Sequence, residues 1–468
     1  MKSRRTMAGL TAAILSLFCT AAAFSQGASA SLDVKRIDDY LAEVNKAYHI
    51  PGMAFFITDA DKTIFENSYG QCRDMNCQFF IGSESKSFTA LCIMQLVEKG
   101  AVRLDDDITR YLDGYRFSKQ VTVRDLLNQT SGFDSHMKLT DVKLTESYGR
   151  YEYANINYDL LGKIVESASG MAYAEYIRSN VFAPLGMGKS CASADSVRTA
   201  GTLLPGNRNL FGLFVKGDAD YPTAKSWFHE PAGFIATTPA DMQEYLRMYL
   251  NGGRAGDGKQ IISGESIRSM WYDNVPIDRK ETARYGMGWN RMLANGAELI
   301  FHGGQVENYI SYMFILPQEG LAVSFMINGN DEFGMNVLMN NAFWDLLSII
   351  YGRPTKNVSH AIYPLIHLAL DAVYLLMLAL SLLILLRPVK PVRPWRAKRL
   401  VLMFAAYIAW PLLLLTFTKL FFDTPLWVVK SYVPDLFWVI VASAVLSICG
   451  AVRSAVWRTQ SPESAINI

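Results

Sequence analysis

Apolar residues recur at three- and four-residue spacing at Ile37, Tyr40, Leu41 and Val44, which predicts an amphipathic helix over residues 32–48. Two strand-like runs follow, residues 52–58 and 63–69, separated by the polar turn Asp59-Ala60-Asp61-Lys62. Phe79-Phe80-Ile81-Gly82 leads into a predicted helix over residues 83–99, ended by Gly100. A polar, mostly helical middle comes next. Strand patterns return at residues 299–302, 310–316 and 321–328, before a helix over residues 336–350. Strands at both ends with helices between them predict an α/β domain of the α+β sandwich kind. One antiparallel sheet is completed by N- and C-terminal pieces and flanked by helices, with a mostly helical subdomain inserted.

The apolar residues are not spread evenly. Lys2, Arg4 and Arg5 precede an apolar run over residues 7–24 and the small residues Ala28-Ser29-Ala30. That is the pattern of a secretory signal peptide over residues 1–30, with a retained anchor as the alternative. Near the other end, residues 363–386, 401–421 and 433–451 are apolar stretches, each long enough to cross a bilayer core of about 30 Å as a helix. The segment between the first two carries Arg387, Lys390, Arg393, Arg396, Lys398 and Arg399, which the positive-inside rule places in the cytoplasm. Residues 31–350 are then expected outside, joined by a linker over 351–362 to a three-helix transmembrane bundle over 363–452, with a cytoplasmic tail over 453–468. His367 and Asp371 lie one turn apart near the outer end of the first helix, a place where ionisable groups face protein or water.

Composition narrows the picture. A formal net charge of +2 gives no reason to expect a nucleic-acid partner. Cys72 and Cys77 flank the polar turn Arg73-Asp74-Met75-Asn76, and can close a small disulfide loop or stay as free thiols; spacing does not choose. No zinc spacing or phosphate-binding loop is present, so no cofactor is expected.

The chemistry is expected at Ser83-Glu84-Ser85-Lys86. Residues three apart at a helix start share one face, so Lys86 can serve a Ser83 nucleophile as base, in the positive field of the helix N-terminus. Alone, a Ser-x-x-Lys is weak, since a chain of this length holds on the order of one by chance. Tyr153-Ala154-Asn155 and His302-Gly303-Gly304 follow in order. With the flanks Phe80-Ile81-Gly82, Thr130-Ser131-Gly132, Pro231-Ala232-Gly233 and Tyr285-Gly286-Met287-Gly288-Trp289, residues 35–350 resemble the serine β-lactamase and penicillin-binding-protein superfamily. The closer resemblance is to its branch of class C β-lactamases, D-aminopeptidases and esterases. The resemblance implies acylation at Ser83, with Lys86 and Tyr153 sharing the general-base work and Asn155 positioning the substrate amide. His302, Gly304 and Gln305 line the sheet edge, and the backbone N–H groups of Ser83 and Gln305 form the oxyanion hole. His302 stands where β-lactamases carry a lysine, which weakens the case for carboxylate binding there.

A hydrolase domain followed by three apolar spans resembles the membrane-anchored prodrug-activating peptidases of nonribosomal-peptide pathways, the group of the colibactin-maturing peptidase. These remove an N-acyl-D-asparagine cap during export, so the resemblance implies a peptide or acylated D-amino-acid substrate; the apolar spans add contact with membrane lipids, a place near an exporter, and room for a dimer through the membrane bundle. His229 and Asn308 match two of the positions that recognise the D-Asn amide, chemistry both side chains can perform. Asn155 departs from the colibactin enzyme and keeps the superfamily's ordinary residue. The alternatives are a cell-wall D-aminopeptidase, D,D-carboxypeptidase or penicillin-binding protein, then an esterase or weak β-lactamase, or a penicillin-type sensor acting through a partner.

Overall fold

Alternation in a single strand sets the layers. In β1 (Gly52–Thr58) Met53, Phe55 and Ile57 point to one face and Ala54 and Phe56 to the other, and every residue is buried. A strand buried on both faces must lie inside a sheet. The computed structural model, which describes residues 32–217, 221–223, 226–294, 296–355, 362–387 and 405–460, shows this. Its eight-stranded sheet runs in the order β2 (Thr63–Gly70), β1, β8 (Leu321–Ile327), β7 (Tyr309–Leu316), β6 (Ala297–Val306), β5 (Trp289–Ala294), β4 (Ala283–Gly286) and β3 (Val275–Pro276). Every neighbouring pair is antiparallel, with Phe55 opposite Phe325 where the N-terminal piece meets the C-terminal one.

One face of the sheet is covered by α1 (Val34–Ala47) and α4 (Gly334–Ile350), whose Ile37, Leu41, Phe343 and Leu347 pack against Phe55, Phe314 and Phe325. The other face carries the helical middle around α2 (Ser85–Glu98) and α3 (Asn155–Ser169). Residues 85–96 of α2 are all buried, so this helix is held from every side, and Phe88 stacks on Tyr245 at 3.6 Å between centroids. Each such aromatic or aliphatic side chain contributes roughly 1.5–3 kcal/mol of burial, so the helix that starts at the Ser-x-x-Lys motif has little freedom to shift.

Beyond this α/β domain stand α5 (Ile362–Leu386), α6 (Trp410–Phe422), α7 (Leu426–Tyr432) and α8 (Pro434–Gln460). Two helices, Ile362–Leu386 and the Pro434–Ser454 part of α8, are long and apolar enough to cross a membrane, and there are three spans if the pair Tyr407–Phe422 and Leu426–Tyr432, bent by 83°, counts as one. The bend has a local cause. Asp423 adopts the left-handed conformation (φ 52°) at the end of α6, and Pro425 caps α7. The expected signal peptide, most of the basic loop and residues 461–468 of the tail lie outside the described residues. Polar contacts join these helices to the α/β domain: His367 Nε2 lies 2.6 Å from Asp331 Oδ2, Asn209 Nδ2 donates to the Tyr363 hydroxyl at 3.1 Å, and the Phe211 N–H donates to Asp435 at 3.1 Å. His367, singled out by its place in an apolar helix, thus faces protein. Cys72 and Cys77 are free thiols.

Candidate active site

Ser83 sits in a 3-10 turn, Gly82–Glu84, that feeds directly into α2. Gly82 has φ 50°, and a Cβ there would stand 2.1 Å from the Gln305 nitrogen; one on Gly304 would stand 1.9 Å from the Ile81 carbonyl oxygen. Only glycine lets the turn and β6 come this close. The Ser83 turn and the backbone of Gln305 are thereby pressed together, as two oxyanion-hole donors must be.

Lys86 projects back one turn. Its Nζ is 3.0 Å from Ser83 Oγ, 2.7 Å from Asn155 Oδ1 and 2.6 Å from the Ala232 carbonyl oxygen, and the residue has no solvent exposure. Burial lowers its pKa to about 7, with the charge of Asp159 opposing the shift. The geometry states what each form does. A protonated ammonium donates to all three acceptors. The neutral amine spends its two hydrogens on Asn155 and Ala232, which can only accept at those oxygens, and its lone pair then faces the Ser83 hydroxyl. Tyr153 completes the group: its ring centroid is 4.9 Å from Lys86 Nζ, and burial holds its phenol protonated while a hydrogen bond with Ser83 offsets part of that shift.

His302 is 3% exposed. Burial, with the charge of Lys86, pushes its pKa down to about 3, so the ring is neutral. Its Nδ1–H donates to the Gly303 carbonyl at 2.7 Å, which leaves Nε2 as an acceptor 3.5 Å from the Tyr285 hydroxyl. A neutral imidazole offers no positive charge to a carboxylate. Gln305 uses its side-chain amide structurally, donating to Asn330 Oδ1 at 3.0 Å and Glu332 Oε2 at 2.6 Å.

His229 and Asn308 are engaged within the protein. His229 Nδ1 lies 2.8 Å from Asp159 Oδ2 and its Nε2 donates to the Thr223 carbonyl at 3.0 Å; the Asp159 hydrogen bond raises its pKa. Asn308 Oδ1 accepts from Arg208 Nε at 3.1 Å, and its side chain packs against Gly206 and Gly217. A cavity of about 290 Å³ opens beside these glycines, lined by Arg198, Lys216, Tyr221 and Tyr309, and Ser83 is not part of it.

Two acids escaped the sequence reading. Asp159 is buried on α3 behind Lys86 and accepts from both the backbone and the ring of His229; a charge on the buried face of an apolar helix was its signal. Glu84, beside Ser83, is fully buried, and neither carboxyl oxygen has a close hydrogen-bond partner among the described residues. The nearby Ser311 hydroxyl donates to the Ile81 carbonyl at 2.9 Å and offsets only part of the effect of burial on Glu84. Burial therefore holds Glu84 as a neutral acid, its pKa well above the carboxyl range. Among the described residues no cluster of His, Cys, Asp and Glu is arranged to hold a metal.

The chain is similar in sequence and in fold to known proteins. The chain is 23% identical over 334 residues to protein flp of Staphylococcus aureus, covering 64% of this chain and 64% of that one, so the match spans less than two thirds of the relative. It is 24% identical over 318 residues to penicillin-binding protein 4 of Amycolatopsis lactamdurans, covering 60% of this chain and 82% of that one. In fold it resembles a D-amino acid amidase from Ochrobactrum anthropi, with a TM-score of 0.57 and 22% identity over 68% of this chain and 99% of the other. The beta-lactamase family pattern matches residues 37–342, well over half of the sequence, and the chain belongs to the beta-lactamase family of serine hydrolases.

Proposed function

We propose that the protein is a membrane-anchored serine amidohydrolase that cleaves an amide at a D-amino acid through an acyl-enzyme on Ser83, removing an N-acyl-D-Asn cap from a nonribosomal-peptide prodrug during export. The observation that carries this reading is the Lys86 amine, buried and held by Asn155 and Ala232 so that its remaining site faces Ser83 Oγ at 3.0 Å. Neutral Lys86 takes the hydroxyl proton as Oγ attacks the carbonyl carbon. The oxyanion is received by the backbone N–H groups of Ser83 and Gln305. The proton then passes, with Tyr153 as relay, to the amine nitrogen as the C–N bond breaks. Water hydrolyses the ester, its own proton taken by the same Lys86–Tyr153 pair.

For the substrate, a neutral His302 favours an internal amide over a free C-terminal carboxylate. His229 Nε2–H, spent on the exposed Thr223 loop carbonyl, is the donor that a D-Asn side-chain carbonyl takes over, with Asn308 as second contact. The apolar helices hold the domain at the outer face of the membrane, near an exporter. Likeness to a penicillin-binding protein supports a second reading, a cell-wall D-peptidase.

Ser83→Ala is expected to abolish turnover while the fold persists; full turnover by that variant removes the catalytic assignment. Rates on an N-acyl-D-Asn peptide, its L-Asn and D-Ala counterparts and a D-Ala-D-Ala peptide decide the substrate. Preference for D-Ala-D-Ala replaces the prodrug reading with the cell-wall one.

A further inference from the structure

The hairpin of strands Asn207–Leu210 and Leu213–Lys216 takes no part in the chemistry at Ser83, yet it carries an apolar outer face. Alternation along it separates two faces. Asn209 and Phe214 turn inward: Asn209 donates to the Tyr363 hydroxyl, and the Phe214 ring lies 3.0 Å from where a Cβ on Gly329 would stand. Leu213 and Val215 turn outward, 69% and 38% exposed, and Phe211 at the tip is 50% exposed. The tip is strained as well as apolar. Leu210 pairs with Leu213, so Phe211 and Gly212 are the two residues of a tight turn, with φ 52° and 79°. Glycine adopts that conformation freely, and asparagine or aspartate is favoured at the first place, where a bulky side chain is strained. An apolar ring held there in water gains nothing from its exposure.

Its neighbours say at what level the hairpin stands. A Cβ on Gly212 would lie 3.1 Å from His367 Cβ, and the Phe211 ring centroid is 6.1 Å from that of Tyr374, also on α5. The Phe211 N–H is held by Asp435 at the start of α8. On the membrane-anchored reading, α5 ends at Leu386 against the cytoplasmic Arg387. A hydrocarbon core of about 30 Å takes about 20 helical residues, so its outer boundary falls near His367, with Tyr374 about 10 Å deeper. The same count back from Arg453 along α8 puts the boundary near Asp435. Tilting either helix moves the boundary toward its outer end and leaves the hairpin deeper still.

We propose that this hairpin dips into the outer leaflet of the bilayer, where Phe211, Leu213 and Val215 bind lipid acyl chains. The proposal rests on the membrane-anchored reading and adds a lipid contact made by the hydrolase domain itself, apart from the Ser83 site. Lys216 fits the same placement. It is exposed at the end of the strand away from the turn, about 10 Å along the chain from Leu213, where an ammonium meets lipid phosphates. The polar inward residue Asn209 is meanwhile satisfied by Tyr363 and by the Gly212 N–H, so that face brings no unpaired group into the leaflet.

The test places the photoreactive residue p-benzoylphenylalanine at position 213 of the full chain, held in nanodiscs of phosphatidylcholine and phosphatidylglycerol, and reads adducts by intact mass after irradiation. The same residue in place of Leu380, 40% exposed on α5, reports the anchor. In place of Leu293, 65% exposed on β5 and opposite Glu298, it reports a leucine in water. Lipid adduct at position 213 is expected to exceed that at 293 by about fivefold or more and to match that at 380 within about twofold. Lipid adduct at 380 with no more at 213 than at 293 overturns the proposal and leaves the anchor standing. No lipid adduct at either 213 or 380 removes the membrane-anchored reading itself. A cross-link from position 213 to a second chain in place of lipid also overturns the proposal, since the hairpin is then a contact between copies.

Discussion

Replacing Glu84 by glutamine tests how the nucleophile's turn is built. The carboxyl has no exposure, and among the described residues no close hydrogen bond reaches either oxygen, so burial, offset only in part by the nearby Ser311 hydroxyl, keeps it protonated far above the usual range. In the unfolded chain the same group ionises near its ordinary pKa of about 4.3. The sign follows from counting protons. Below that value both states hold the proton and the group adds no pH dependence. Above it, unfolding releases a proton, so stability attributable to Glu84 is lost as pH rises toward its folded pKa. The slope is about 1.4 kcal/mol per pH unit. Glutamine does not titrate. Its fixed cost, a buried amide in place of a buried acid, shifts the whole comparison but cannot tilt it. Between pH 5 and pH 7 the stability of Glu84→Gln relative to wild type is therefore expected to improve as pH rises, by about 1.4 kcal/mol for each unit over which the folded protein keeps the proton. Thermal unfolding of the full chain in detergent reads this as a difference in Tm that widens by several degrees over that range. Other titrating groups are common to both proteins and cancel. A difference in Tm that stays constant from pH 5 to pH 7 would refute the reasoning, because Glu84 would then be ionised in the fold.

Three further outcomes are expected. The pH profile of kcat/KM has an acid limb with its midpoint near pH 7, since Lys86, with a pKa of about 7, works as a base only when neutral, and Lys86→Met lowers activity by about 10²–10⁴-fold; a flat profile from pH 5 to pH 8 rejects this. Asp159→Asn removes the carboxylate that raises the Lys86 pKa, so the acid limb moves to lower pH, read from the same profile, and an upward move contradicts the placement of Asp159 behind Lys86. Gly304→Ala places a methyl 1.9 Å from the Ile81 carbonyl, parting the Ser83 turn from β6. It is expected to slow acylation by about 10²-fold or more, as loss of an oxyanion donor does, measured by single-turnover kinetics.

The central architecture was legible because burial leaves a periodic trace. Phe55, Ile57, Phe314 and Phe325 announce strands, and Ile37, Leu41 and Val44 a helix. The strand expected over residues 299–302 continues to Val306 in the structure, because the glycine pair interrupts the pattern of side chains without interrupting the ladder. The grouping of Ser83 with Lys86 follows from helical spacing, while Tyr153 and Asn155 needed a resemblance, since nothing local brings residue 155 within 2.7 Å of Lys86. The partners of His229 were not legible. Its ring meets Asp159, 70 residues earlier, through packing that no spacing encodes. The bend between α6 and α7 was hidden for a different reason. Leu426, Trp427, Val428 and Val429 are as apolar as a membrane span, and composition does not record the turn at Asp423.

The polar joints between the apolar helices and the hydrolase domain have a consequence for encounter. Because His367 and Asp331 are paired, and Asp435 holds Phe211, the hydrolase domain keeps a set height and tilt relative to α5 and α8, the helices long and apolar enough to cross a membrane. An enzyme tethered by a loose linker samples a volume. On the proposed membrane-anchored reading, one fixed in this way sweeps a single plane, and its turnover of an amphiphile depends on lateral density rather than bulk molarity. Diluting the substrate with inert lipid at constant bulk concentration should then slow it, as surface dilution does for enzymes confined to an interface.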